Sequence, residues 1–152
     1  MGLIKKSLVI VFILITSIAC KQEWYLSIDK NSGINPILCF SSGIFGIADA
    51  LGVDKGVQFY SLSISEVNSK DELIQAMWEI SYDFKSGQPN NATLKKLTYG
   101  VLPSGWTEKR PAKPIMSGRY YDVQGGEFYF TKSTTGKYQV FSRSEFFNAM
   151  KL

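Results

Sequence analysis

The sequence predicts an all-β domain, an antiparallel β-sandwich of about seven strands, and three observations carry that prediction. Seven extended segments rich in Val, Ile, Tyr, Phe and Trp recur between residues 24 and 142. Clusters of Gly, Asn, Ser and Pro separate them. Helical periodicity is nearly absent outside one ambiguous stretch, and no repeat, low-complexity tract or second domain interrupts residues 24–152.

Trp24-Tyr25-Leu26-Ser27-Ile28 opens the domain as a strand, and Asn31-Ser32-Gly33 turns it towards a second strand over Ile37 to Ser41. Between Gly43 and Gly56, Ile44, Ile47, Ala48 and Leu51 keep helical spacing while Gly43, Gly46 and Gly52 weaken it. A short helix or an ordered crossing loop fits. Val57 to Val67 is a third strand in which Val57 and Phe59 share one parity and Tyr60, Leu62 and Ile64 the other, which predicts a bulge near Phe59. Ala76, Trp78, Ile80, Tyr82 and Phe84 alternate with Met77, Glu79, Ser81 and Asp83 as a half-buried fourth strand. Ser86 to Asn91 is a turn, and Leu97, Tyr99 and Val101 are the expected inward set of the fifth. Pro103 to Gly118 holds three of the five prolines and reads as a long connection. Arg119 to Lys132 is extended, with a bulge or tight turn at Gly125-Gly126. Thr135-Gly136 closes a hairpin onto Lys137 to Ser142. Ser142 and Glu145 have the spacing of a capping box for a final helical turn over Phe146 to Met150.

Ahead of this domain, residues 1–19 read as an export signal. Lys5 and Lys6 form a positive start, Leu8 to Ile15 is unbroken apolar sequence, and Ser17-Ile18-Ala19 supplies small residues before Cys20. Ser7 to Ala19 is 13 residues, short of the roughly 18 apolar residues that a spanning helix needs. A plain secretory signal followed by an incidental cysteine is the alternative. Ser17-Ile18-Ala19-Cys20 resembles a bacterial lipobox, although Ser17 stands where that pattern prefers Leu. The resemblance implies cleavage before Cys20, lipidation of Cys20, and anchoring in the membrane through its acyl chains, with residues 20–23 as a short tether. Lys21 rather than Asp follows the cysteine, so the analogy favours a periplasm-facing protein of the outer membrane over the inner one.

Without residues 1–19 the chain of 152 becomes 133 residues, a usual size for one domain. Its formal charge falls from +4 to +2 as Lys5 and Lys6 depart. That balance, with export, argues against a nucleic-acid partner. The charge is uneven. Residues 20–84 carry 4 basic and 9 acidic side chains, whereas residues 85–152 carry 11 basic and 4 acidic. Two halves that pack together can neutralise each other. Alternatively, a basic face steers an acidic partner.

The absence of His removes Ser-His-Asp and Cys-His catalysis and His-ligated zinc. No phosphate-cradling glycine motif occurs, and Asp71-Glu72 and Asp83 read as solvated faces, so neither an enzyme nor a cofactor or metal is expected. Cys39 lies in the apolar run Ile37-Leu38-Cys39-Phe40 and is expected to be a small buried hydrophobe. What remains is a binding surface. Trp106, Lys109, Arg110, Lys113 and Arg119 cluster in and beside the long connection, combining an aromatic with guanidinium and ammonium groups as interface hot spots do. The alternative places Trp106 under its own loop as a packing lid.

Three resemblances sharpen the picture. Ile115-Met116-Ser117-Gly118-Arg119-Tyr120-Tyr121-Asp122-Val123 is similar to the entry to the sixth strand of fibronectin type III domains, within the immunoglobulin-like sandwiches. It implies that Tyr121 is a structural corner residue whose hydroxyl caps a backbone group. Cys39-Phe40-Ser41 after an export signal resembles periplasmic immunity lipoproteins linked to type VI secretion, which implies an envelope or toxin protein as partner. Ser117-Gly118-Arg119-Tyr120 with Phe130-Thr131-Lys132 is similar to segments of membrane-bound inhibitors of c-type lysozyme, which implies a Ser and a basic residue entering the target's cleft. The combined expectation is a non-enzymatic, lipid-anchored protein-binding module of the immunity or inhibitor kind. A structural or carbohydrate-binding envelope lipoprotein is the alternative.

Overall fold

A computed structural model describes residues 24–42, 56–85 and 92–151. The signal at 1–19, Cys20 and its tether, the ambiguous stretch at 43–55 and the turn at 86–91 lie outside the described residues. The rest is an antiparallel all-β sandwich. In chain order the strands are β1 (Trp24–Ile28), β2 (Ile37–Ser42), β3 (Val57–Gln58), β4 (Ser61–Val67), β5 (Leu73–Tyr82) and β6 (Thr93–Leu94). They continue with β7 (Lys96–Thr98), β8 (Trp106–Arg110), β9 (Tyr120–Val123), β10 (Phe128–Lys132) and β11 (Tyr138–Ser142), and helix α1 (Arg143–Met150) follows.

Eleven strand segments replace the expected seven for local reasons. The Val57–Val67 run breaks at Phe59, the predicted position of the irregularity. There β3 stays with β6, while β4 crosses to pair with β5 and β9. Lys95 separates β6 from β7. Gly125-Gly126 is a tight turn: Gln124, Gly125 and Gly126 all have positive φ, and β9 and β10 pair in register from Val123↔Phe128 to Tyr120↔Thr131. The fourth change is β8, which arises inside what reads as a long connection and pairs with β5 from Tyr82↔Trp106 to Glu79↔Arg110.

The large sheet has the order β11-β10-β9-β4-β5-β8 and faces the smaller β1-β2-β7 and β3-β6 sheets. Between them lies the main core, including Leu38, Phe40, Leu62, Ile64, Trp78, Ile80, Leu97, Tyr121, Val123 and Phe130. Alternation places these side chains inwards. Two bulges in the β4–β5 pairing interrupt it, so Met77 is buried beside Trp78. Phe84 and Val101, expected to face inwards, are largely exposed because both fall just beyond the ends of their strands. Tyr60, at the crossing between sheets, also points outwards. Cys39 is half-buried, not a core residue. Leu38 and Phe40 occupy the inward positions, leaving Cys39 between Ser27 and Lys96 on the outer face. Burial nevertheless pushes its thiol pKa up, away from thiolate reactivity.

On the other face of the large sheet, α1 builds a second, smaller core. Ser142 caps the helix: its N–H donates to Glu145 Oε2 at 2.7 Å and its hydroxyl accepts from Glu145 N. The capping box therefore starts the helix at Arg143, a turn earlier than the apolar residues indicate. Phe146 is fully buried, stacked on Tyr129 with ring centroids 4.1 Å apart, and Val67 and Tyr120 complete the contact.

Candidate functional site

The five residues singled out from the sequence come from β8 and from the segments after it, and one of them, Trp106, is not at the surface. Trp106 is the first residue of β8 and is buried, with its ring edge-on to Tyr82 at 5.8 Å. It is therefore a core side chain, not a surface anchor. Its register opposite Tyr82 turns the indole inwards while the next four residues of β8 are exposed.

Lys109 and Arg110 are on that exposed stretch. β8 is the last strand of the large sheet, so both cations stand at its rim, and neither enters an ion pair among the described residues. Glu108 beside them accepts the Trp78 indole N–H at 2.9 Å, which ties the strand to the core. Charged side chains on an edge strand also hinder unwanted pairing with other chains.

Lys113 and Arg119 converge on an acidic position in β4. Glu66 is the one buried charged residue among those described. Arg119 Nη1 lies 3.6 Å from Glu66 Oε1, and Gln75 Nε2 donates to Glu66 Oε2 at 2.7 Å. Lys113 Nζ donates to Gln75 Oε1 at 2.8 Å. The Lys113 backbone is fixed as well: its N–H donates to Met77 O at 3.0 Å, and its carbonyl accepts the Tyr99 hydroxyl at 2.7 Å. Burial pushes the Tyr99 hydroxyl up to about 12, so it remains a donor at any physiological pH.

The wider charge pattern follows suit. Three ion pairs, Lys96–Asp29, Arg119–Glu66 and Arg143–Asp71, each join a cation of the basic half to a carboxylate of the acidic half. The charge asymmetry is thus partly consumed inside the fold. Lys109, Arg110 and Lys113 remain exposed outside these pairs, Lys113 with its ammonium held by the Gln75 amide.

Tyr121 is fully buried, and Met116 N–H donates to its hydroxyl at 2.8 Å, with Met116 O at 3.2 Å accepting in return. Burial is the main cause of its raised pKa, opposed by the Met116 backbone hydrogen bond. The hydroxyl pins the segment entering β9. The neighbouring Gly118 N–H donates to Lys132 O and Thr131 Oγ1 donates to Arg119 O, both at 2.8 Å. The two segments that resemble lysozyme inhibitors therefore lie side by side, with the Arg119 guanidinium turned towards Glu66.

One constellation escapes the sequence reading altogether. The β4–β5 hairpin curls over the outer face of the large sheet and brings Asp71 close to Asp122 of β9. Together with Ser63, Ser65, Leu73, Gly125 and Gly126 they line a cleft of about 340 Å³. Burial raises the Asp122 pKa, the Gly126 N–H bond to Asp122 Oδ1 opposes the rise, and Asp71 adds to it. The sequence signal was Asp122 set three residues ahead of a Gly-Gly turn, but nothing local tied it to Asp71. Among the described residues no three His, Cys, Asp or Glu side chains are grouped to hold a metal, and no helix is long and apolar enough to cross a membrane. No family model, no curated protein and no solved structure matches this chain.

Proposed function

We propose that the protein is a lipid-anchored, non-enzymatic envelope module that binds another protein with an acidic surface, in the manner of an immunity or inhibitor protein. The anchor rests on the signal and on Cys20. The binding role rests on one observation above others: Lys109 and Arg110 project from the rim of a rigid sheet, outside the ion pairs that neutralise other cations of the same half. Such charges act mainly on the rate of encounter. Trp106 belongs to the scaffold beneath them.

Two measurements test this reading. Cys20→Ser should abolish incorporation of labelled palmitate and release the protein from membranes; unchanged labelling would remove the anchor. A photo-crosslinking side chain at Thr107, exposed on the same strand, should trap a discrete protein adduct in cells. Reversing Lys109 and Arg110 to Glu should slow its formation at low salt. No adduct, or one indifferent to the reversal, overturns the protein-binding role.

Carbohydrate binding has an observation of its own. Tyr60 and Phe84 are both more than half exposed and lie 5.3 Å apart between ring centroids. Retention on purified peptidoglycan or lipopolysaccharide, lost in Phe84→Ala, would favour it.

A further inference from the structure

The direction of the strands decides which end of the sandwich lies next to Cys20. β1 begins at Trp24, four residues after Cys20, and pairs there with Ser42 at the end of β2. The Trp24 ring lies 4.6 Å from that of Phe128, the first residue of β10, and 5.2 Å from that of Phe59. Antiparallel pairing carries this end across the large sheet: β9 ends there, β4 begins, β5 ends and β8 begins. An extended chain gains at most about 3.6 Å per residue, so Trp24 stands within roughly 14 Å of an acylated Cys20. This pole is the one held nearest the bilayer.

The same pole exposes aromatic surface. Phe84 is 68% exposed and Tyr60 55%, with their rings 5.3 Å apart. Both are held in place. Tyr82 N–H donates to Tyr60 O at 2.9 Å, and Phe84 stands edge-on to the buried Tyr82 ring, itself edge-on to Trp106. Phe59, in contact with Trp24, immediately precedes Tyr60, so the aromatic pair and the start of the domain share one end. A single exposed apolar residue needs no explanation, whereas two aromatics held ring to ring at the end the tether reaches call for one.

Charge at this end neither drives nor forbids contact with lipid. Lys85 beside Phe84 is exposed and enters no ion pair among the described residues, while the exposed Glu127, between the Gly125-Gly126 turn and β10, carries the opposite sign. Contact then rests on the rings, since aromatic side chains settle at the headgroup level of a bilayer. Two rings are too little to draw a protein out of solution. A link of four residues makes their contact with the bilayer intramolecular, and there a weak contact suffices.

We propose that Tyr60 and Phe84 dock this pole onto the phospholipid surface that holds the acyl chains of Cys20, so that the domain rests on the bilayer instead of hanging from its tether. The inference rests on the anchor proposed above and gives it an orientation: β8 starts at the bilayer with Trp106 and carries Lys109 and Arg110 on its far half. The test uses the full chain, processed in cells with labelled palmitate and reconstituted in phosphatidylethanolamine–phosphatidylglycerol vesicles that contain lipid brominated on its acyl chains. Phe84→Trp keeps an aromatic ring and adds a reporter. Ile34→Trp puts the same reporter at an 83% exposed residue of the opposite pole, in the turn between β1 and β2. With the wild-type emission subtracted, the indole introduced at 84 should lose most of its emission to the brominated lipid, and the one at 34 should not. Quenching at 84 should survive high salt, which screens charges and leaves apolar contact intact, and should fall when Tyr60→Ser is added. Palmitate-labelled protein quenched equally at both positions overturns the docking and leaves the anchor standing, as does quenching lost in salt or untouched by Tyr60→Ser. An indole at 84 that responds to peptidoglycan fragments and not to brominated lipid assigns the pair to a sugar and overturns the docking too. Absence of the palmitate label removes the anchor and, with it, this inference.

Discussion

Tyr120 and Tyr121 show how one residue of register separates two fates. Tyr121 faces the main core and bonds the Met116 backbone. Tyr120 faces the helix, packs on Phe146, and its hydroxyl has no bond among the described residues. Tyr121→Phe should therefore cost about 1 kcal/mol, the low end for a lost buried bond, because exposed Met116 can recruit water. Tyr120→Phe should cost less, and equal shifts in urea midpoints would contradict the assignment. Asp122 gives a pH signature. Its folded pKa is raised above the unfolded value, so the folded state binds the proton more tightly. The resulting stabilisation is complete below the unfolded pKa and is lost as pH rises through the folded one. Asp122→Asn keeps an acceptor for Gly126 N–H without this loss. Compared with wild type, it should gain stability between pH 3.5 and pH 7 in urea melts, and a constant difference across that range would count against it.

At the scale of elements, α1 is held by one cap and one anchor. Ser142→Ala removes the hydroxyl that accepts Glu145 N–H and should cost about 1 kcal/mol. Phe146→Ala empties the centre of the second core and should cost about 3–5 kcal/mol. Differential scanning calorimetry would rank them. Comparable losses would mean that the helix is not anchored through Phe146. β8 was hidden in the sequence because its residues are polar except the first and lack alternation. It exists because β5, long and bulged, offers a free edge that Trp106 joins by inserting beside Tyr82. Trp106→Ala should consequently behave as a core truncation, costing about 3–5 kcal/mol, rather than as a silent surface change.

For the whole molecule, the opposed charges of the two chain halves meet as partly exposed ion pairs. Each such pair contributes about 0–1 kcal/mol and is screened by salt. Raising salt from roughly 0.05 to 0.5 M should lower stability by no more than about 1–2 kcal/mol, measured by urea unfolding. A larger fall would mean that the pairs hold the sheets together more than the aromatic core does.

The strand identities apart from β8, the break at Phe59, the Gly125-Gly126 irregularity, the cap at Ser142 and the inward-facing Tyr121 were legible in the sequence. Each depends on neighbours within a few residues: parity, turn residues, a three-residue cap spacing. Tertiary structure alone decided which strands pair across the chain, and with that the fate of the charged residues. Lys113 and Arg119 became partners of Gln75 and Glu66, Trp106 became core, and Asp71 met Asp122 only because a hairpin curls over a distant strand. Local propensity carries no information about contacts 40 or 50 residues apart. Those are set by which buried faces and strand edges the folded chain must cover.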